Sequence, residues 1–78
     1  MSDLASTKVG ERVAVTRIEG TDDIAVRLME MGLTPGVTVQ VIGTAPLGDP
    51  IEVEVRGYRL SLRRREAARI QIKGDKSN

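Results

Sequence analysis

The 78-residue chain contains no cysteine, histidine, tryptophan or phenylalanine, and its one aromatic residue is Tyr58. Each gap removes a class of chemistry. Without cysteine there is no disulfide framework and no thiolate metal site, and without histidine the commonest metal ligand and general base are missing. One tyrosine cannot supply the several stacking platforms of small barrels that bind single strands, nor the aromatic walls of a polyproline groove. No segment approaches the roughly 20 apolar residues of a membrane span, and Met1-Ser2-Asp3 lacks the basic-then-apolar opening of a secretory leader. The expectation is a soluble, unprocessed, cytoplasmic chain without membrane insertion. It forms one domain over residues 1–78, with its core at about 4–73 and a polar, mobile tail from 74 to 78.

Catalytic groups are equally sparse. The serines stand without a base, and Glu52 and Glu54 share one face of a strand whose other face carries Ile51, Val53 and Val55, so they read as solvated edge charges. Gly20-Thr21-Asp22-Asp23 puts carboxylates where a phosphate cradle needs amides. A metal would have to rely on Asp22, Asp23, Glu30 or Asp49, or on the thioethers of Met29 and Met31, which point apart on a helix. No catalytic, cofactor or metal residue is expected.

What the sequence does contain is pattern. Period-two alternation marks Val13 and Val15, then Val37, Val39 and Val41, then Ile51, Val53 and Val55, with shorter candidates at Leu60 and Leu62 and at Ile70 and Ile72. Five closely spaced strands of this kind predict a small antiparallel barrel, mainly β, with no room for βαβ crossovers. One helix interrupts them, from Asp23 to Met31, where Ile24, Leu28 and Met31 form a core stripe with Ala25 and Met29 on its shoulder and Arg27 and Glu30 opposite. Thr21 or Asp22 caps its start, and the Asp22-Asp23 pair suits the positive end of the helix dipole. Gly32 is the left-handed stop that returns Leu33 against Leu28, and Thr34-Pro35-Gly36 is a type II turn into the next strand. Val9-Gly10 turns the N-terminal segment so that Leu4 reaches the core.

Charge is lopsided. Residues 1–55 carry four Lys/Arg against nine Asp/Glu, giving −5, while residues 56–78 carry eight against two, giving +6. Arg56, Arg59, Arg63, Arg64, Arg65 and Arg69 are six of the nine arginines, enough for phosphate contacts but without aromatic neighbours. Val26 lies away from the helix stripe, Met29 is on its shoulder, and Leu47 sits in a loop bracketed by Pro46 and Pro50. With the arginines they sketch an apolar centre and a basic rim, the makings of a docking surface for an acidic partner.

The order Gly10, strand, Arg27-Leu28-Met29-Glu30-Met31-Gly32-Leu33-x-Pro35-Gly36, Ala45-Pro46-Leu47-Gly48-Asp49-Pro50, Ile51–Val55, Leu60-x-Leu62-Arg63 and Ala67-x-x-Ile70 resembles ferrous iron transport protein A over about residues 4–72. The helix-end pattern is shared with SH3-like domains of iron- and manganese-dependent repressors. The Ala-Pro-Leu-Gly-Asp-Pro loop sharpens the match to the transporter accessory. The resemblance implies a five-stranded SH3-like barrel with one inserted helix and a short helical turn before the last strand, in a bacterial cytoplasm. It also implies a non-enzymatic accessory of the ferrous iron transporter FeoB, whose cytosolic portion contains a GTP-binding domain. Joined to the residue pattern, it assigns binding of the cytosolic part of FeoB, or of an adjoining membrane surface at the inner face of the cytoplasmic membrane, to Met29, Leu33 and Leu47 flanked by Arg63, Arg64 and Arg65, with self-association through barrel edges a further expectation. Leu28 is assigned to stability. The alternative is an SH3-like module of a metal-dependent regulator, or a small barrel that contacts nucleic acid.

Overall fold

The computed structural model describes residues 2–74. Six antiparallel strands form one sheet: β1 (Ser2–Asp3), β2 (Arg12–Ile18), β3 (Thr38–Thr44), β4 (Ile51–Val55), β5 (Tyr58–Leu62) and β6 (Ile70–Gly74), in the order β1-β6-β2-β3-β4-β5. Helix α1 (Asp23–Glu30) separates β2 from β3, and a short helix α2 (Arg64–Ala67) separates β5 from β6.

The register follows the alternation. Val39 pairs with Val13 on one side and Val55 on the other, and Val41 with Val53, so the β-branched side chains of three strands meet on one face. Val13, Val15, Val39, Val41, Ile51, Val53, Val55, Leu62 and Ile70 are all buried there, with Leu4, Leu28 and Leu33 brought in from outside the strands. Register shifts between Val15 and Arg17 and between Val41 and Gly43 bend β2 and β3, the local curvature a small barrel requires.

Helix α1 is closed as its sequence dictates. The Asp22 carboxylate accepts from the Ala25 N–H at 3.4 Å at one end. At the other, Gly32 has φ +100°, its N–H donates to Met29 O at 3.0 Å, and the Leu33 N–H donates to Leu28 O at 3.2 Å. This is the doubly bonded Schellman stop, and it drives Leu33 into the core. Val37 N–H then donates to Thr34 O at 3.1 Å, with Gly36 at φ +93°, completing the type II turn. β4 and β5 are joined by Arg56-Gly57, both at positive φ, as a two-residue hairpin turn demands.

Three expectations need correction. There are six strands rather than five, because Ser2 and Asp3 pair with Ile72 and Gln71. β4 lies between β3 and β5, so Glu52 and Glu54 are not on an edge. Gly74 ends β6 rather than opening the tail; residues 75–78 lie outside the described residues. Among the described residues the ladder does not close on itself: β1 and β5 are its terminal strands, and Arg64, just beyond β5, reaches the segment just beyond β1, its Nη1 donating to Ala5 O at 2.7 Å.

Candidate protein-docking surface

The Ala45–Pro50 loop is a turn with Pro46 and Leu47 at its centre: the Gly48 N–H donates to Ala45 O at 2.7 Å, and the Ala45 N–H to Pro50 O at 3.0 Å. Gly48 takes φ +86°, and the Asp49-Pro50 peptide is cis. Leu47, at the tip, is 96% exposed. A leucine held fully in water by a bonded turn is unlike the scattered, partly covered apolar residues of an ordinary surface.

The loop is fixed from below by α2. The Arg64 N–H donates to Asp49 Oδ1 at 2.9 Å, its Nε to Gly48 O at 3.0 Å, and its Nη1 to Ala5 O. The guanidinium is therefore engaged within its own chain and positions the loop. Arg63 and Arg65, on either side of it, are exposed, and neither joins an ion pair among the described residues.

Beneath the arginines lies a carboxylate. Glu66 Oε1 accepts from the Arg63 N–H at 3.1 Å, one half of a capping box, since an arginine side chain has no acceptor to complete the other half. Glu66 Oε2 pairs with the Arg27 guanidinium on α1. A second pair joins the same elements: Arg69 Nη1 donates to Asp22 Oδ1 at 2.5 Å. That hydrogen bond, helped by the Ala25 N–H, holds the Asp22 carboxyl below the usual carboxylate range and raises the Arg69 guanidinium. Two ion pairs of opposite sense thus fasten α1 to the α2–β6 segment.

Of the six residues assigned to partner binding, Leu47, Arg63 and Arg65 are exposed on two segments that Arg64 joins through Gly48 and Asp49. Met29 is 46% exposed on α1, a helix linked to α2 through Arg27 and Glu66. Leu33 is wholly buried, because the Schellman stop packs it against the core. It is a stability residue and cannot touch a partner in this fold. Sequence reasoning missed Glu66, Arg27 and the inward use of Arg64. The only available signal was the Arg63-x-x-Glu66 spacing, hidden by a non-capping residue at its first position.

Elsewhere on the surface, a shallow cleft of about 420 Å³ over the outer face of β2–β4 is lined by Arg12, Gln40, Glu54 and Arg56. Glu54 opposes the two guanidinium groups, so the cleft selects no single charge. Among the described residues, no group of three or more acidic side chains gathers in metal-binding fashion, and no helix is long and apolar enough to cross a membrane.

The sequence and fold are similar to those of known proteins. The model of the FeoA domain matches residues 3–74. The Fe(2+) transport protein A/Fe(2+) transporter FeoB fusion protein of Porphyromonas gingivalis is 36% identical over 75 residues, 96% of this chain but only 9% of the fusion's length. The solution structure of the FeoA protein from Chlorobium tepidum superposes with a TM-score of 0.89 at 38% identity, over 99% of this chain and 73% of that one. Stenotrophomonas maltophilia FeoA, crystallised with zinc and described as a procaryotic SH3 domain protein, gives a TM-score of 0.83 at 28% identity, over 94% and 91% of the two chains. With the helix stop, the proline-bracketed loop and the arginine helix all falling inside one matched stretch on an SH3-like fold, the chain belongs to the FeoA family.

Proposed function

We propose that this chain docks on the cytosolic side of the FeoB ferrous iron transporter and assists its assembly or regulates its activity, without catalysis of its own. Leu47 is the apolar anchor, Arg63 and Arg65 are the basic rim, Met29 is an outlying contact, and Arg64 is the support that holds Leu47 outward. The observation that carries the reading is the loop itself: a fully exposed leucine fixed by four hydrogen bonds of its turn and of Arg64 is organised before any partner arrives. Preorganisation of this kind lowers the entropy cost of binding. The P. gingivalis fusion supports the choice of partner, because a covalent link supplies effective concentration to a pair that otherwise has to find each other by surface affinity.

The test is binding of the purified chain to detergent-solubilised full-length FeoB, with and without nucleotide, beside the isolated GTP-binding portion and a duplex DNA control. Leu47→Asp removes an anchor whose burial contributes roughly 1.5–3 kcal/mol, so binding should weaken about ten- to a hundredfold. Its stability should not change, since the side chain makes no use of the core. Full affinity in this variant would remove Leu47 from the interface. Saturable DNA binding that falls steeply with salt, without transporter binding, would overturn the docking reading.

A further inference from the structure

Among the described residues the sheet has one long unpaired edge. There β5 has β4 as its only strand neighbour, whereas the other terminal strand, β1, is two residues long. The hairpin turn at Arg56-Gly57 makes Val55 and Tyr58 a hydrogen-bonded pair, and the antiparallel alternation then assigns Leu60 and Leu62 inward to β4 as well. The backbone N–H and C=O groups of Arg59 and Ser61 therefore face away from the sheet. Neither residue takes part in any hydrogen bond of a turn, loop or side chain among the described residues, and both are exposed. Their pairing capacity is unspent.

Charge decides what could use it. Arg59 lies on this edge, and Arg63 and Arg65 follow its end; the ion pairs among the described residues belong to Arg17, Arg27 and Arg69 instead. Glu54 is opposite Arg59 across the ladder without forming an ion pair with it, so part of the positive field is offset and most remains. Pairing β5 with β5 of a second copy would bring two such arginine sets side by side, and like charges across a strand pair are destabilising. An extended segment carrying Asp or Glu meets the same edge with the opposite sign.

We infer that β5 accepts an added strand from an acidic, extended segment of the partner protein, paired through the backbone of Arg59 and Ser61 and held by Arg59, Arg63 and Arg65. This rests on the docking reading above and deepens it: the Leu47 loop supplies the apolar anchor, and β5 supplies the backbone ladder. Four backbone hydrogen bonds are available, two from each outward-facing residue. The edge also acts as a filter, since basic or neutral strands gain the ladder without the charge.

Ser61→Pro separates the ladder from the fold. The N–H it removes points away from β4, and proline is tolerated on a strand edge in that orientation, whereas Ser61→Ala keeps the N–H and serves as the control. With full-length FeoB, Ser61→Pro is expected to bind roughly tenfold more weakly and Ser61→Ala within about twofold of the parent. In parallel, hydrogen exchange at the Arg59 and Ser61 amides of the unaltered chain should slow by about tenfold or more on binding, a readout that does not depend on any variant folding. Binding by the unaltered chain with no protection of these two amides would overturn the added strand while leaving the docking reading intact. No binding to FeoB in any nucleotide state would overturn both.

Discussion

The Arg27–Glu66 pair offers a quantitative test of how α1 is fastened. The Glu66 side chain is 10% exposed and that of Arg27 58%, so one charge is nearly dry and the other mostly wet. A fully exposed pair contributes about 0–1 kcal/mol, and breaking a fully buried one costs about 3–5 kcal/mol. With one partner in each environment, Arg27→Ala should cost about 2 kcal/mol. A 78-residue domain has roughly 4–12 kcal/mol of total stability, at about 0.05–0.15 kcal/mol per residue. The same loss corresponds to a fall in Tm of roughly 8–16 °C. Far-UV circular dichroism is the suitable probe, as the chain lacks tryptophan. A double-mutant cycle of Arg27→Ala with Glu66→Gln isolates the pair, because glutamine keeps an oxygen for the Arg63 N–H. The internal control is Arg17–Glu19, a 2.7 Å pair with both side chains in water, where coupling should stay below about 0.5 kcal/mol. Equal coupling in the two cycles would refute the argument that burial of Glu66 sets the strength of the clamp.

Two further perturbations probe the ends of α1. Gly32→Ala puts a Cβ at φ +100°, 3.3 Å from Tyr58 Oη, and should cost about 1–2 kcal/mol in a urea melt without altering the sheet; an unchanged midpoint would show that the stop tolerates other geometries. Asp22 is held ionised by Arg69, so its contribution is complete above the unfolded carboxylate pKa of about 3.9 and is lost as pH falls through the lower folded value. Asp22→Asn keeps a good cap but loses the charge. The stability gap between the two proteins, present at neutral pH, should therefore narrow as pH falls below about 4, and a gap that does not narrow there would contradict the ion-pair account.

Regular elements were legible because their causes are local. The alternation at Val37–Val41 and Ile51–Val55, the Gly32 stop and the Thr34-Pro35-Gly36 turn each write their geometry into a few consecutive residues. β1 was not legible, since two polar residues carry no period and are made a strand only by Gln71 and Ile72. The inserted helix and its core stripe are legible in outline, yet Ala25, a shoulder position by helical periodicity, is more deeply buried than Ile24 or Met31. A helix lying on a curved sheet buries a broader arc than an ideal stripe describes. For the candidate site, the exposure of Leu47 followed from its proline brackets. The burial of Leu33 was implicit in its own Schellman contact. The division of labour among Arg63, Arg64 and Arg65 was invisible, because three identical side chains in a row are distinguished only by what the fold brings beneath them.

The bond from Arg64 to Ala5 spans 59 positions of the chain, and the same side chain also reaches Gly48. Arg64 thus draws the first turn of the protein, its central loop and its late helix to one point beside the loop that carries Leu47. A chain still emerging from the ribosome, with everything through β4 already synthesised but α2 not yet made, possesses the loop and lacks its brace. The docking proposed for Leu47 would thereby draw on a brace that exists only once α2 has been synthesised.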